Sequence, residues 1–599
     1  MQEFFRKYGV LLFILFMGFV AFRHYGVITP KNQVIRADGK GYYAYLPAVF
    51  VYNDNQMNFL YYYEGKYDLP EDFAEFRAYQ NGKYLDKYYA GLAILQLPFF
   101  LAAHAISHIC GLPTDGYAPL YQQFFILGSL FYLFMGMQAL MYFLIRLKIK
   151  PFHAWLAMLL ILFGTNCYHY AVYEQCMTHI YNLSLMCIFI YGMQRVFYDD
   201  SKKWILISLF VLGLIFIVRP TNLIIVFFIP FIAGSWSELK SGIIKILKSP
   251  KFLVGGMLLA AIPVLIQCEL WYWQTGHFYA YSYGKEVMEW TNPKIYHILF
   301  SYRSGWFLWS PLAFIGICML TLLYKSPFRM FSILTFMFFV IYVLSCWWTP
   351  DYGWRFGSRV FIDYLFVVAI GFAYAFDKIK SAYLRIAFSV VCIIGLFVAQ
   401  VQAYQYRKEI ITWDNMNETL YWRVFLQTGK AYQHWLNEKN YYQQQTIVEN
   451  GIEQSFTNGF EEPGTWNSDD NRTSYFSRTG TYSYIIDDKH IFSPAFKYTL
   501  TDYILKNDSI VQESVWFFGP QPENTRLVIR VDRNDKMISW DDMQFRRFVN
   551  ESGTWTRAVF HLPLAKNLKA GDVMSFFVYN GDSKNRFFLD DFRVDFIRK

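Results

Sequence analysis

The sequence predicts a polytopic α-helical membrane protein of about 11 transmembrane helices followed by an extracytoplasmic all-β sandwich, and three observations carry this. Of 599 residues, 55% are hydrophobic and 21% aromatic, while 17% are charged, against about 25% in soluble globular proteins. The charges are also segregated. Twelve windows free of Asp, Glu, Lys and Arg (8–22, 88–114, 116–145, 151–173, 175–194, 204–218, 220–237, 252–268, 304–324, 330–350, 364–376 and 386–406) precede Arg407, and no such window reaches ten residues after it. Third, from about residue 445 the hydrophobic period becomes two: Leu527, Ile529 and Val531, then Phe592, Val594 and Phe596, the alternation of half-buried strands. A single soluble domain is excluded. A spanning helix needs about 20 predominantly apolar residues, and flanking Lys and Arg snorkel outward from shorter windows. The net charge of +9 comes mostly from Lys and Arg between the windows, so it marks loops on the cytoplasmic face and no nucleic-acid partner.

The elements follow in order. Residues 1–403 form the transmembrane domain. No small-residue cleavage site precedes Arg23, so the first apolar run reads as a retained helix with its N-terminus in the cytoplasm. Residues 24–90 are the first outer loop. The basic loops at Arg6 and Lys7, Arg146 to Lys150, Arg195 to Lys203, Lys240 to Lys251, Lys325 to Arg329 and Lys378 to Arg385 share one face only if one early window does not cross. That window is 91–108, which carries Pro98, His104 and His108 and reads as a juxtamembrane or re-entrant helix. Residues 404–444 read as a surface-helical linker, and 445–599 as the sandwich, punctuated by Gly451, Gly459, Gly480, Gly519 and Gly571. All eight cysteines precede residue 393, so the β domain is no disulfide scaffold. That usage points to a bacterial inner membrane with the C-terminal domain in the periplasm.

The outer loops hold the candidate site. Asp38, in Ala37-Asp38-Gly39-Lys40-Gly41-Tyr42-Tyr43, is a candidate general base at the membrane surface, with an ordinary polar turn as the rival reading. Glu174 is the only charge among the 44 residues from Pro151 to Gln194, and a lone acid at the rim of apolar helices needs water, a partner or a ligand. His169 and His179 could join it on a divalent metal or serve as plain hydrogen-bonding groups. Arg219, Arg303, Arg355 and Arg359 lie in aromatic surroundings that include Trp348 and Tyr352. Guanidinium forks there suit a phosphate held at the membrane, while local pairing, Arg359 with Asp363 for instance, is the plainer alternative.

These loops resemble the GT-C superfamily of integral-membrane glycosyltransferases, which includes protein O-mannosyltransferases and the aminoarabinose transferases that modify lipid A. The resemblance covers roughly residues 5–425. It rests on Asp38 in the first outer loop, Glu174 before Met177-Thr178-His179, Lys87 before the 91–108 segment, the Gly305 to Pro311 stretch and the Trp348 to Arg359 loop. It implies an inverting transfer from a sugar on a polyprenyl phosphate to a glycan, lipid or protein acceptor. Asp38 and Glu174 would be catalytic; Lys87, Arg219, Arg303, Arg355 and Arg359 would hold the donor phosphate; Tyr42, Tyr43, His179, Trp348 and Tyr352 would line the acceptor and sugar. Lys87-Tyr88-Tyr89 stands where the family has His-Pro-Pro or Lys-Pro-Pro, and no Asp-x-Asp metal motif is present.

Gly459-Phe460-Glu461, Arg478 to Tyr484 and Phe588-Leu589-Asp590-Asp591-Phe592 resemble galactose-binding-like jelly rolls of carbohydrate-binding modules. That resemblance implies a structural calcium on Glu461 with Asp590 or Asp591; Trp466, Trp540 and Trp555 read as core or rim residues, with sugar stacking as the alternative. Two other function classes compete. A polytopic transporter would use the same charges to line a cavity, but it predicts paired halves, and no internal repeat is visible. A non-catalytic membrane protein with a sugar-binding domain would leave Asp38 and Glu174 dispensable.

Overall fold

The computed structural model describes residues 1–29, 32–60, 66–67, 76–80, 83–199, 201–283, 286–353, 356–412, 416–429, 432, 448–464, 466, 471–506, 510–520, 522, 524–545, 548, 554–564, 568–581 and 585–598. They form two compact units, Met1–Thr428 and Gly429–Lys599.

In the first unit every uncharged window is helical. Among the described residues eight helices are long and apolar enough to cross a membrane: Gln2–His24, Gly91–Cys110, Pro119–Arg146, His179–Tyr198, Pro250–Thr275, Pro327–Ser345, Arg359–Lys378 and Ala382–Arg407. Four shorter apolar helices, Pro151–Phe163, Lys203–Val218, Pro220–Ala233 and Pro311–Lys325, account for the remaining windows. So much apolar helical surface is stable only in a hydrocarbon solvent, and this unit is an integral membrane domain. Proline opens many of these helices, at Pro119, Pro151, Pro250, Pro311 and Pro327, where its missing N–H and fixed φ cost nothing.

The Gly91–Cys110 segment is one continuous helix of 20 residues. Both of its flanks bond to the loop that precedes it. Before it, Tyr88 bonds through its hydroxyl to Asp38 and through its carbonyl to the Tyr45 hydroxyl; after it, the carbonyls of Gly116 and Asp115 accept from Tyr43 and Tyr52. Asp38, Tyr43 and Tyr45 belong to one helix, Asp38–Pro47. At about 1.5 Å rise per residue such a helix is about 15 Å long. The last long helix, Ala382–Arg407, runs past residue 403, and a short helix Glu418–Val424 follows it.

The described residues of the second unit include ten strands. They are β3 (Ile452–Asn458), β4 (Arg472–Thr473), β5 (Ser483–Ile486), β6 (Phe496–Thr499), β7 (Ile510–Phe518), β8 (Thr525–Arg533), β9 (Lys536–Gln544), β10 (Thr556–Pro563), β11 (Val573–Asn580) and β12 (Phe587–Ile597); β1 (Arg77–Gln80) and β2 (Lys83–Asp86) form a hairpin in the first unit. One sheet has the order β10-β7-β12-β5-β4 with β3 also on β12, and the other β6-β11-β8-β9. The chain alternates between sheets as β5, β6, β7, β8 and β9, β10, β11, β12, which is jelly-roll winding. Val515, Phe560 and Val594 from one sheet and Ile529, Val531 and Phe576 from the other enter a single apolar core.

The side-chain period of two places Glu513 in that core, because its neighbours across the ladder are Phe560 and Val594. Glu513 is fully buried, and neither carboxyl oxygen has a hydrogen-bond partner among the described residues. Burial alone pushes its carboxyl well above the usual carboxylate range.

Candidate active site

Asp38 opens the helix Asp38–Pro47. The residue before it, Ala37, has φ 48° and ψ −135°, a backbone conformation that costs a side-chain-bearing residue about 1–3 kcal/mol. Gly39 lies flat on the 173–178 loop, and a Cβ there would overlap the Cys176 side chain. That contact fixes where Asp38 points.

Arg359 meets it. The guanidinium lies 2.6 Å from Asp38 Oδ2 and also donates to the Tyr352 carbonyl at 2.8 Å. Tyr88 donates to the other carboxyl oxygen at 3.0 Å. Arg359 starts a 3-10 helix, Arg359–Tyr364, pinned by Trp306 stacked on Phe361 with ring centroids 4.0 Å apart. The Asp38 side chain is 29% exposed and that of Arg359 only 9%, so the acid keeps an open face while its partner is enclosed. Burial on its own would raise the carboxyl pKa, but the adjacent Arg359, with the Tyr88 bond and the Lys87 charge, outweighs it and holds Asp38 below the usual carboxylate range.

One turn along the same 3-10 helix, Asp363 is fully buried. It binds His179 Nδ1 at 2.8 Å and the Asn222 amide at 2.6 Å, and Arg219 stands 3.8 Å away. Tyr364 donates to Asn222 at 2.8 Å, and Arg219 lies over the Tyr352 ring at 5.7 Å. An open apolar groove of about 370 Å³ between the Lys203–Val218 and Pro250–Thr275 helices is lined by Phe216, Leu223, Met257, Ala260 and Val264. Lys87 sits between the Tyr88 and Tyr283 rings, at 5.8 and 5.6 Å, and pairs with Glu286 at 2.5 Å. Tyr42 packs on Tyr88 at 4.4 Å.

Thus Asp38, Arg359, Tyr88, Lys87, Tyr42 and Tyr352 are joined by direct contacts, with His179, Arg219 and Asp363 linked through Tyr352 and the 3-10 helix. Other expected residues lie elsewhere. Tyr43, one step further round the helix than Tyr42, is buried against Tyr117 and Phe125 and bonds Gly116. Arg303 pairs with Asp351 at 3.2 Å, and Asp351 also binds His297 and Ser304. Trp348 is partly exposed, and its carbonyl accepts from Lys294. Arg355 lies outside the described residues. The expected local pair of Arg359 with Asp363 does not form as the main contact of either, since each reaches a different partner.

Glu174 stands 3.3 Å from His169 and 3.5 Å from Arg36. Burial opposes its charge, but His169 and Arg36 prevail and hold its carboxyl at about 2. His179 turns to Asp363, so Glu174, His169 and His179 do not converge as metal ligands. The acids expected to hold calcium in the β unit have local partners. Asp590 Oδ2 takes the N–H groups of Arg478 and Thr479, Glu461 takes those of Thr481 and Tyr482, and the Arg478 guanidinium supplies the cation beside Asp591 at 2.6 Å. Among the described residues no three His, Cys, Asp or Glu side chains form a metal-binding group. Trp466 packs on Phe496 and Phe592, and Trp555 stacks on Phe476, whereas Trp540 is 39% exposed.

The sequence reading missed Asp363, Tyr88 and Glu286 as members of the site. Asp363 carried a signal, as an acid inside an apolar run, but was read only as a neighbour of Arg359.

No protein-family model matches the chain, and no curated protein does. Among solved structures it is similar to the cryo-EM structure of arabinosyltransferase EmbB from Mycobacterium smegmatis, at 11% identity and a TM-score of 0.33. The alignment covers 84% of this chain and 60% of that one, and at this level of likeness no activity is inferred from it.

Proposed function

We propose that the chain is a GT-C-type glycosyltransferase that moves a sugar from a polyprenyl-phosphate donor to a hydroxyl of a glycan, lipid or protein on the outer face of a bacterial inner membrane, with inversion at the anomeric carbon. The observation that carries the reading is Asp38: an acid with an open face, anchored by Arg359 and Tyr88, beside Lys87 and Arg219 in a membrane domain. In a single displacement the acceptor hydroxyl gives its proton to Asp38 and its oxygen attacks the anomeric carbon. The bond from that carbon to the phosphate oxygen breaks, and its electron pair leaves with the prenyl phosphate. Arg359, Arg219 and Lys87 stabilise the charge that develops there. The apolar groove lined by Phe216, Leu223 and Met257 suits an isoprenoid chain.

Glu174 is assigned to holding Arg36 and His169, because a carboxyl kept at about 2 is a poor base. His179, positioned by Asp363, and the exposed ring of Trp348 are assigned to the sugar and acceptor side. Contacts of both flanks of Gly91–Cys110 with the short helix Asp38–Pro47 support a helix that enters and leaves on one face, and hence eleven crossings. The jelly roll is assigned to the acceptor.

The test is transfer itself. Purified protein in detergent, given a synthetic polyprenyl-phosphate sugar and a hydroxyl acceptor, is expected to release prenyl phosphate and glycosylated product. A transporter would leave the donor bond intact in every preparation.

A further inference from the structure

Three described cations near Asp38 each face a carboxylate. Arg359 is bound by Asp38 at 2.6 Å, Lys87 by Glu286 at 2.5 Å, and Arg219 faces Asp363 at 3.8 Å. Among the described residues, these three cations of the cluster each meet a carboxylate. A lipid phosphate that binds one of these cations competes with the carboxylate already on it. Asp363 cannot leave, since it is fully buried and also bound to His179 and Asn222. Asp38 can: its side chain is 29% exposed, and after parting from Arg359 it still holds the Tyr88 hydroxyl.

We propose, on the transferase reading above, that Arg359 is a lock on the base: the donor phosphate takes Arg359 from Asp38, and only then is Asp38 free to accept the acceptor's proton. A carboxylate in a 2.6 Å ion pair is a weak base, and removal of the opposite charge makes it a stronger one. The exchange is balanced. The phosphate gains the guanidinium that stabilises it as leaving group, and the carboxylate gains basicity at the moment a proton must move. The other groups around Asp38 are Tyr88, Lys87, Tyr42, Tyr283 and Cys176; of these only Lys87 is cationic, and it is held by Glu286. The arrangement imposes order: donor first, acceptor second. Without donor, Asp38 stays locked and does not activate water.

The test is binding rather than turnover. The full chain in detergent is titrated with farnesyl phosphate, with farnesol as the control for the tail and inorganic phosphate for the head. If Asp38 competes for Arg359, Asp38→Asn removes the competitor, and farnesyl phosphate should bind about 5- to 20-fold more tightly than to the parent. Removal of one member of a buried charge pair also strands the other, so Asp38→Asn should melt lower without ligand and gain more in Tm on adding farnesyl phosphate than the parent does. Asp38→Ser repeats the comparison should the Asn variant fold poorly. Arg359→Gln should weaken farnesyl phosphate at least 10-fold. Equal or weaker binding by both Asp38 variants overturns the lock, as does tightening by Glu286→Gln alone. Parent protein that binds farnesyl phosphate no better than farnesol overturns the lock together with the lipid-phosphate reading of the site, whereas failure of the Asp38 variants to tighten leaves that reading standing.

Discussion

At the scale of single residues, the site is held by positions whose neighbours leave little room for change. Asp363 accepts from His179 and Asn222 and faces Arg219. Asp363→Ala would leave these groups without their acceptor, at a cost of about 3–5 kcal/mol for a broken buried pair. The expected outcome is a clearly lowered melting temperature in detergent and lost transfer, with Asp363→Asn milder on both. Gly39→Ala would drive a methyl group into Cys176. Overpacking of this kind costs about 1–3 kcal/mol, and because it would move Asp38 the transfer rate should fall more than the melting temperature does. Ala37→Gly relaxes a conformation in which Ala37 has φ 48° and should be neutral or stabilising in the same melts. Asp38 and Glu174 were legible in the sequence because an acid beside apolar windows is rare. Tyr43 parts from Tyr42 because adjacent residues on a helix point about 100° apart. Asp363 was overlooked because sequence spacing favours the i,i+4 partner, whereas here both members of that pair reach across the fold.

At the scale of elements, helix positions were legible to within a few residues, since every uncharged window became helical. The bend from window to helix ends was not. The 151–173 window breaks after Phe163 to make the Glu174 loop, and 220–237 begins as a 3-10 helix. In the β unit the period of two marked the strands, but sheet order follows from long-range pairing that no local pattern encodes. Glu513 is the element-scale surprise, an unpartnered acid facing the core of the sandwich. Burial raises its pKa in the folded state above the unfolded value of about 4.3. Its protonated form therefore stabilises the fold fully below about pH 4, and that contribution is lost as the pH rises toward the folded value. Melting of the β unit should accordingly fall as pH rises above about 4. Glu513→Met removes the unsatisfied group at similar volume and should gain about 1–3 kcal/mol at pH 7. It should also flatten the pH dependence assigned to this residue. An unchanged pH slope in Glu513→Met would show that some other group carries it.

At the scale of the whole molecule, the division into a membrane unit and a β unit could be read from where the charges lie, and the structure divides at Thr428 and Gly429. The crossing number rests on the Gly91–Cys110 helix. If both its ends lie on one face, single cysteines at the exposed flanking positions Lys83 and Leu112, in a background where Cys110 is replaced, should both react with an impermeant maleimide from the side that labels the 24–90 loop. Reaction of position 112 only from the opposite side would restore a full crossing there. The central claim, that Asp38 in its pair with Arg359 is the centre of glycosyl transfer, is tested most directly by single-turnover transfer from a saturating polyprenyl-phosphate sugar, comparing the parent with Asp38→Asn. Loss of a general base costs about 10²- to 10⁴-fold, so the account predicts a fall of that size in Asp38→Asn with the donor still bound. Transfer by Asp38→Asn at the parent's rate would contradict it.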